Sequence, residues 1–383
     1  MRILHWNESW RPLIGGTEVL LQHLATEQRR RGHALAVITD RAHDRLEPEE
    51  TTEGVAIHRL PLKRALLSGA PADLRAASEA VAAVRRSFRP EVVHLHVNGP
   101  SVWFHLLTQP VHPAPTLVTL HTPFRELAVP RPLLARLLGS AAWITTVSHA
   151  LLAELHVLFP ETRARSGVVW NALPSPVLAP APLASAPPVL LAAGRLVPEK
   201  GFDTAIRALA RLRPVFPAAR LVIAGDGPER DALARLADEL LPTGCVTFLG
   251  WVDPARIPAV INDATLLLMP SRWQEPFGLV ALQAAQMGRP IVASAVGGLV
   301  EIVVDGVTGR LVPPDDPTAM AAAAAALLAD PAAAARCGAA ARERAEARFS
   351  LAGCADGYDA LYARQITAAA PGVFAAPRPA PPA

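Results

Sequence analysis

Short apolar runs alternate along this chain with longer amphipathic stretches, and that alternation limits the fold more than any single residue does. Runs such as ALAVIT (34–39), VVHLH (92–96), TLVTL (116–120), PVLLAA (188–193), RLVIA (220–224) and TLLLM (265–269) have strand length. Between them lie stretches with helical spacing, such as residues 15–31, where Val19, Leu20, Leu24 and Ala25 share one side. Strands separated by helices need crossover connections, and crossovers give parallel sheets. The spacing predicts two such series. Residues 174–188, PSPVLAPAPLASAPP, divide them, because proline removes amide donors and disfavours helical geometry in its predecessor.

The expectation is therefore an α/β chain of two Rossmann-like, doubly wound domains facing an interdomain cleft. The boundaries read as an N-terminal domain over 1–173, a linker over 174–187 and a C-terminal domain over 188–350. Residues 351–368 read as a terminal helix, and residues 369–383 as a disordered tail. Helices are predicted at 72–88, 100–108, 131–139, 149–158, 201–213, 228–240, 254–262, 276–287, 317–329 and 339–348. A length of 383 residues suits two cores, and 51% hydrophobic with 19% charged residues describes a folded protein. In open parallel sheets ligands bind outside the carboxyl ends of the strands, so the loops there carry the chemistry.

Composition excludes several classes. The net charge is only +3, and no dense Lys/Arg stripe carries interleaved aromatics, which argues against a nucleic-acid partner. Cys245, Cys337 and Cys354 are sparse and scattered, as in a reducing compartment. No signal peptide and no apolar run of membrane-span length is read, so the expected location is cytoplasmic, with peripheral membrane contact left open. Only Lys63 and Lys200 among 37 basic residues are lysine, so a lysine kept in a phosphate-type loop is informative.

Four loops stand out. In LLAAGRLVPEKGFD (190–203), Gly194 allows a turn, and Arg195 and Lys200 are cations near a helix start, as a diphosphate requires. Gly225, in GDGP, ends the next strand and is a candidate wall of that pocket. In EPFGLVALQ, Glu275 precedes a helix expected to open at Pro276. The free amides of Phe277, Gly278 and Leu279 would favour an anion, while Glu275 would accept from neutral sugar hydroxyls. Gln283 would then lie about 12 Å further along the same helix at 1.5 Å per residue. In the N-terminal half, Gly15 and Gly16 in GGTE permit close approach of a phosphate. They do not form the G-x-G-x-x-G fingerprint of nicotinamide and flavin enzymes. His121 ends a strand and should face the cleft. His94, His96 and His112 have no comparable support, and no cluster shows metal-ligand spacing. Glu18, Trp103 and Arg125, with Trp10 and His105, are candidates for the acceptor side.

Taken together, GGTE, RGHALAVIT, LHTP, TTVSHALL, VVWN, AAGRLVPEKGFD, LVIAGDGPE, VTFLGWV and SRWQEPFGLVALQAAQMGRPIVASAVGGLVEIVVDGVTGRLV resemble family 4 retaining glycosyltransferases of the GT-B fold. They occur in family order over about residues 1–350. The resemblance implies a UDP-, GDP- or other nucleoside diphosphate sugar as donor, with no further cofactor and no metal. The acceptor would be a carbohydrate, a lipid-linked sugar or a small molecule. It places Gly16 near the diphosphate, His121 near the donor sugar, Arg195 and Lys200 on the diphosphate, and Glu275 on sugar hydroxyls. The base would lie on VTFLGWV, and the helix over 351–368 would pack back on the first domain. Two positions depart from the pattern: Gln283 stands where a second glutamate is usual, and Ala172 where a glycine commonly follows the asparagine. The implied chemistry is hexosyl transfer with retention. The alternatives are a sugar-nucleotide-binding protein with little or no catalysis and, further off, an epimerase of similar architecture.

Overall fold

A computed structural model describes residues 1–11, 15–43, 45–183 and 187–369. The expected tail beyond 369 lies outside the described residues. The chain divides into two compact units.

The first unit comprises Met1–Thr146, Leu152–Val169 and the end of the chain from Ala355. Its strands are β1 (Arg2–Asn7), β2 (Ala34–Asp40), β3 (Glu49–Thr52), β4 (Val55–Leu60), β5 (Val92–Val97), β6 (Thr116–Leu120), β7 (Trp143–Thr146) and β8 (Ser166–Val168). They form one sheet in the order β3-β4-β2-β1-β5-β6-β7-β8. Every pairing is parallel except β3 with β4. The hairpin β3–β4 was not expected, because EETT lacks apolar alternation; its four residues sit at the edge with mostly exposed side chains. A helix at Leu62–Ser68 was also missed.

The second unit comprises Val147–Leu151 and Trp170–Cys354. Its strands are β9 (Val189–Ala193), β10 (Arg220–Ala224), β11 (Val246–Gly250), β12 (Leu266–Met269), β13 (Ile291–Ser294) and β14 (Gly309–Val312). All are parallel, in the order β11-β10-β9-β12-β13-β14. The central strands are buried and continuously apolar, as a sheet covered on both faces requires. The helix Phe202–Leu212 places Phe202, Ile206 and Leu209 at helical spacing against Leu190, Leu221 and Leu268.

The described part of the proline-rich stretch holds neither helix nor strand, yet it is tied down. Asn262 binds the backbone of both Ala179 and Ala181, and Arg289 donates to the Ala181 carbonyl. Two helices differ from their expected limits. The helix expected at 339–348 starts earlier and spans Pro331–Arg348, capped by the Asp330 carboxylate on the Ala333 amide. The helix expected at 276–287 is Leu279–Gln286, and Pro276 lies outside it.

Candidate active site

In the second unit the informative loops leave the carboxyl ends of three adjacent strands. Arg195 follows β9, Gly225 follows β10, and the segment 270–278 follows β12. Backbone hydrogen bonds lock the first two loops together: Gly194 donates to Ala224 (2.9 Å) and Leu196 to Asp226 (2.9 Å). A Cβ on Gly225 would overlap the Gly194 carbonyl, so glycine there holds Arg195 close to the sheet end. The Arg195 guanidinium is exposed and takes no partner among the described residues.

Lys200 closes a 3-10 turn, Pro198–Lys200. Gly201 follows in left-handed geometry at φ 65°, and a Cβ there would strike the Pro270 carbonyl. Arg272 clamps this turn from the other side. Its guanidinium donates to Asp203 (2.6 Å) and Asp315 (2.8 Å), and its amide to the Glu199 carbonyl (2.8 Å). The clamp sets Lys200 directly on Glu275, with Nζ at 2.9 Å from Oε1 and 2.6 Å from Oε2.

Glu275 is only 7% exposed and fully engaged on one oxygen. Oε2 accepts from Lys200, from Ser271 Oγ (3.2 Å) and from Trp273 Nε1 (3.2 Å), whereas Oε1 accepts from Lys200 alone. Oε1 therefore keeps a lone pair for a further donor. Lys200 Nζ also lies 5.1 Å from the Trp273 ring centre and retains one N–H. The glycine pair Gly297–Gly298 supports the Glu275 backbone: the Gly298 amide donates to the Glu275 carbonyl (2.7 Å), and Gly297 donates to Gln274 Oε1 (2.9 Å).

The expectation of a helix beginning at Pro276 is corrected here. Gly278 adopts φ 104° and caps a helix whose first residue is Leu279. Phe277 is buried and meets Phe349 edge-on at 5.5 Å. Leu279 lies in the first helical turn, whose amides have no intrahelical acceptor. Glu275 thus precedes the helix by a loop, and the 12 Å separation of Gln283 along one helix axis does not apply. Gln283 is the fifth helical residue, half-buried, and its side chain takes no partner among the described residues. At the edge of the sheet, Trp251 after β11 is 61% exposed beside the Gly225–Gly250 bridge.

In the first unit, Gly15 is extended (φ −139°) and caps the helix Gly16–Arg30. Both glycines are exposed. Glu18 folds back over Gly15, so its carboxylate already occupies part of the expected anion site. Burial pushes the Glu18 carboxyl above its usual range, with hydrogen bonds to its own amide and to Ser9 opposing. Trp103 is half-buried against Phe104, and Arg125 is exposed beside Glu126 (3.4 Å). Two acceptor-side expectations are corrected. Trp10 is buried, and His105 is wholly buried, bonded to Arg85 (2.7 Å). His112 is bound to the Pro90 carbonyl (3.1 Å).

His121 follows β6 and is buried, with its Nε2 3.0 Å from His96 Nδ1. Its Nδ1 has no partner among the described residues. Burial lowers its pKa to about 4. The pairing of His5 with His94 across β1 and β5, and of His96 with Thr119 across β5 and β6, sets all these side chains on one face. His5, His94 and His96 bring ring nitrogens within 4.8 Å of one another, a grouping that sequence spacing did not reveal. These nitrogens are already engaged with Gln28, Tyr362, Thr119 and one another. The readable signal was alternation: His94 and His96, then Thr119 and His121, each two apart on adjacent strands.

Both halves of the chain match known protein families. The family model described as Glycosyltransferase Family 4 matches residues 14–174, and Glycosyl transferases group 1 matches residues 179–344. A glycogen synthase from Mycobacterium tuberculosis is 33% identical over 384 residues, covering 91% of each chain. The structure of sucrose-phosphate synthase from Thermosynechococcus elongatus superposes with a TM-score of 0.82 at 25% identity, over 96% of this chain and 99% of that one. Anabaena HepE, solved with UDP and glucose, gives 0.77 at 21% identity, over 95% and 100%.

Proposed function

The chain belongs to the family 4 glycosyltransferases of the GT-B fold, and from that premise we propose that it moves a hexosyl group from a nucleoside diphosphate sugar to a hydroxyl acceptor with retention of configuration. The observation that carries this reading is the Lys200–Glu275 pair beside Arg195 at the carboxyl end of the second sheet. UDP-glucose is the first donor to try, because HepE was solved with UDP and glucose.

The roles follow from charge. Breaking the anomeric bond leaves negative charge on the departing diphosphate. Arg195, with its guanidinium free, and Lys200, with one N–H free, stabilise that charge; the first-turn amides from Leu279 onward add to it. Glu275 Oε1 accepts from a sugar hydroxyl while Oε2 stays saturated by protein donors. His121 belongs beside the donor sugar, and Trp103 and Arg125 on the acceptor side. A phosphate oxygen of the leaving group takes the acceptor proton, so the reaction needs no protein carboxylate pair. With charge handled by two cations, turnover should survive EDTA.

The test is hydrolysis of UDP-glucose, with and without candidate acceptors. Lys200→Ala should lower turnover by about 10²- to 10³-fold, the usual cost of losing one charge-stabilising donor. It also orphans the buried Glu275, costing about 2 kcal/mol or more of stability. Lys200→Ala/Glu275→Gln should recover stability and leave turnover low. If the double variant turns over sugar at the parental rate, the assignment fails.

A further inference from the structure

Of the five buried histidines in the first unit, His5, His94, His96 and His121 are joined in one hydrogen-bonded network, more than the proposed reaction uses. From their hydrogen bonds we infer that Gln28, Tyr362, His5 and His96 form a directional relay that fixes the tautomer of His121. This rests on His121 belonging to the donor site.

The direction is set at the far end. Thr145 Oγ1 lies 3.5 Å from the Val118 carbonyl, which can only accept. With its proton used there, Thr145 accepts from Thr119 (2.6 Å), so Thr119 accepts from His94 Nε2 (2.6 Å). A neutral imidazole carries one N–H, so His94 Nδ1 accepts from the Tyr362 hydroxyl (2.6 Å). The hydroxyl then accepts from the Gln28 amide nitrogen (3.3 Å), which turns the Gln28 carbonyl towards His5 Nε2 (2.7 Å). His5 Nε2 must carry the proton, and its Nδ1 accepts from His96 Nε2 (3.1 Å). By the same step His96 Nδ1 accepts from His121 Nε2 (3.0 Å). Nδ1 of His121 is left as a lone pair, and among the described residues it has no partner.

Burial keeps all four rings neutral: His5 and His121 are lowered to about 4, and His94 and His96 are held well below their ordinary value. Inverting the relay would require the Gln28 amide to turn over, and Tyr362 prevents that by demanding a donor. The consequence is chemical. A lone pair at His121 Nδ1 accepts from a hydroxyl and rejects phosphate or carbonyl oxygen. His5, His96, Gln28 and Tyr362 act through His121 and are positioning residues.

The test is 15N NMR of histidine-labelled full-length protein without donor, near pH 7, with His121 assigned through His121→Gln. The parent should show His121 protonated on Nε2 alone. Tyr362→Phe removes the hydroxyl from His94 Nδ1 and frees the Gln28 amide while leaving the His5–Gln28, His5–His96 and His96–His121 contacts in place, so the Nδ1 resonance should shift towards its protonated position. Gln28→Met should do the same. Tyr358→Phe removes a hydroxyl 3.4 Å from Thr119 Oγ1 but leaves the Thr119–Thr145 and His94–Thr119 bonds that set the direction, so it should leave the spectrum as in the parent. A parent proton on Nδ1, or a Tyr362→Phe spectrum identical to the parent's, overturns the relay. UDP-glucose turnover of Tyr362→Phe addresses the donor-site reading separately. A shifted tautomer with kcat and KM both unchanged supports the relay and removes His121 from the reaction centre.

Discussion

At the scale of single residues, the second unit places a buried carboxylate and a rare lysine in contact and leaves one oxygen of that carboxylate under-used. Glu275→Gln should therefore retain nucleotide binding, because Arg195 and Lys200, the proposed diphosphate cations, remain, and raise the KM for UDP-glucose by about tenfold, one charged hydrogen bond's worth. Steady-state kinetics with UDP as competing inhibitor would check it. Gln283, on the helix Leu279–Gln286, has a side-chain amide without a partner among the described residues. Gln283→Glu should tighten UDP binding by about three- to tenfold if ribose hydroxyls meet that face, as a charged acceptor outperforms a neutral one. Calorimetry with UDP reads this directly, and unchanged affinity would place the ribose elsewhere. The residues of this site were legible because each lies in a loop whose neighbours betray a strand end. The salt bridge between Lys200 and Glu275 was not legible, since 75 residues separate them and the Arg272 clamp that joins them has no local pattern.

At the scale of elements, alternation of strands and helices gave both sheets, while the start of the helix after Glu275 was misplaced. Pro276 has the right chemistry for a first helical turn, but the glycine pair Gly297–Gly298 packs against and bonds the backbone of residues 274–277, and Gly278 turns the corner at φ 104°. A side chain there would meet Leu299 and force a left-handed geometry that L-residues resist. Gly278→Ala should cost about 1–3 kcal/mol in denaturant unfolding and weaken UDP binding, because the first-turn amides move with the corner. The edge hairpin β3–β4 escaped notice for a different reason. Its partner strand, not its own pattern, makes EETT a strand.

At the scale of the whole molecule, the first unit carries an unusual polar stripe through the buried face of a parallel sheet, closed by residues from both ends of the chain. Tyr358 and Tyr362, four apart on the helix Leu351–Ala369, cover it from the carboxyl end, and Gln28 from the amino end. Such a network is tolerable only while satisfied and neutral. The four histidines are held below their ordinary value of 6.5 by burial, so between pH 6.5 and about 4 the unfolded chain binds protons that the folded one does not. Stability is therefore fully present above pH 6.5 and falls as pH drops towards 4. Each histidine contributes a slope of up to about 1.4 kcal/mol per pH unit. Glu27 adds a separate loss at lower pH. Its hydrogen bond from Arg30 holds its carboxyl at about 2, so its contribution fades from about pH 4.5 downwards. Thermal unfolding from pH 8 to pH 4 should show a steep decline beginning near 6.5, well above the carboxylate range. His94→Gln, which keeps a donor and an acceptor for Tyr362 and Thr119, should make that decline shallower by about one proton. A Tm that stays level down to pH 5 would mean these rings titrate alike in the folded and unfolded chains, and that the buried stripe is open to water.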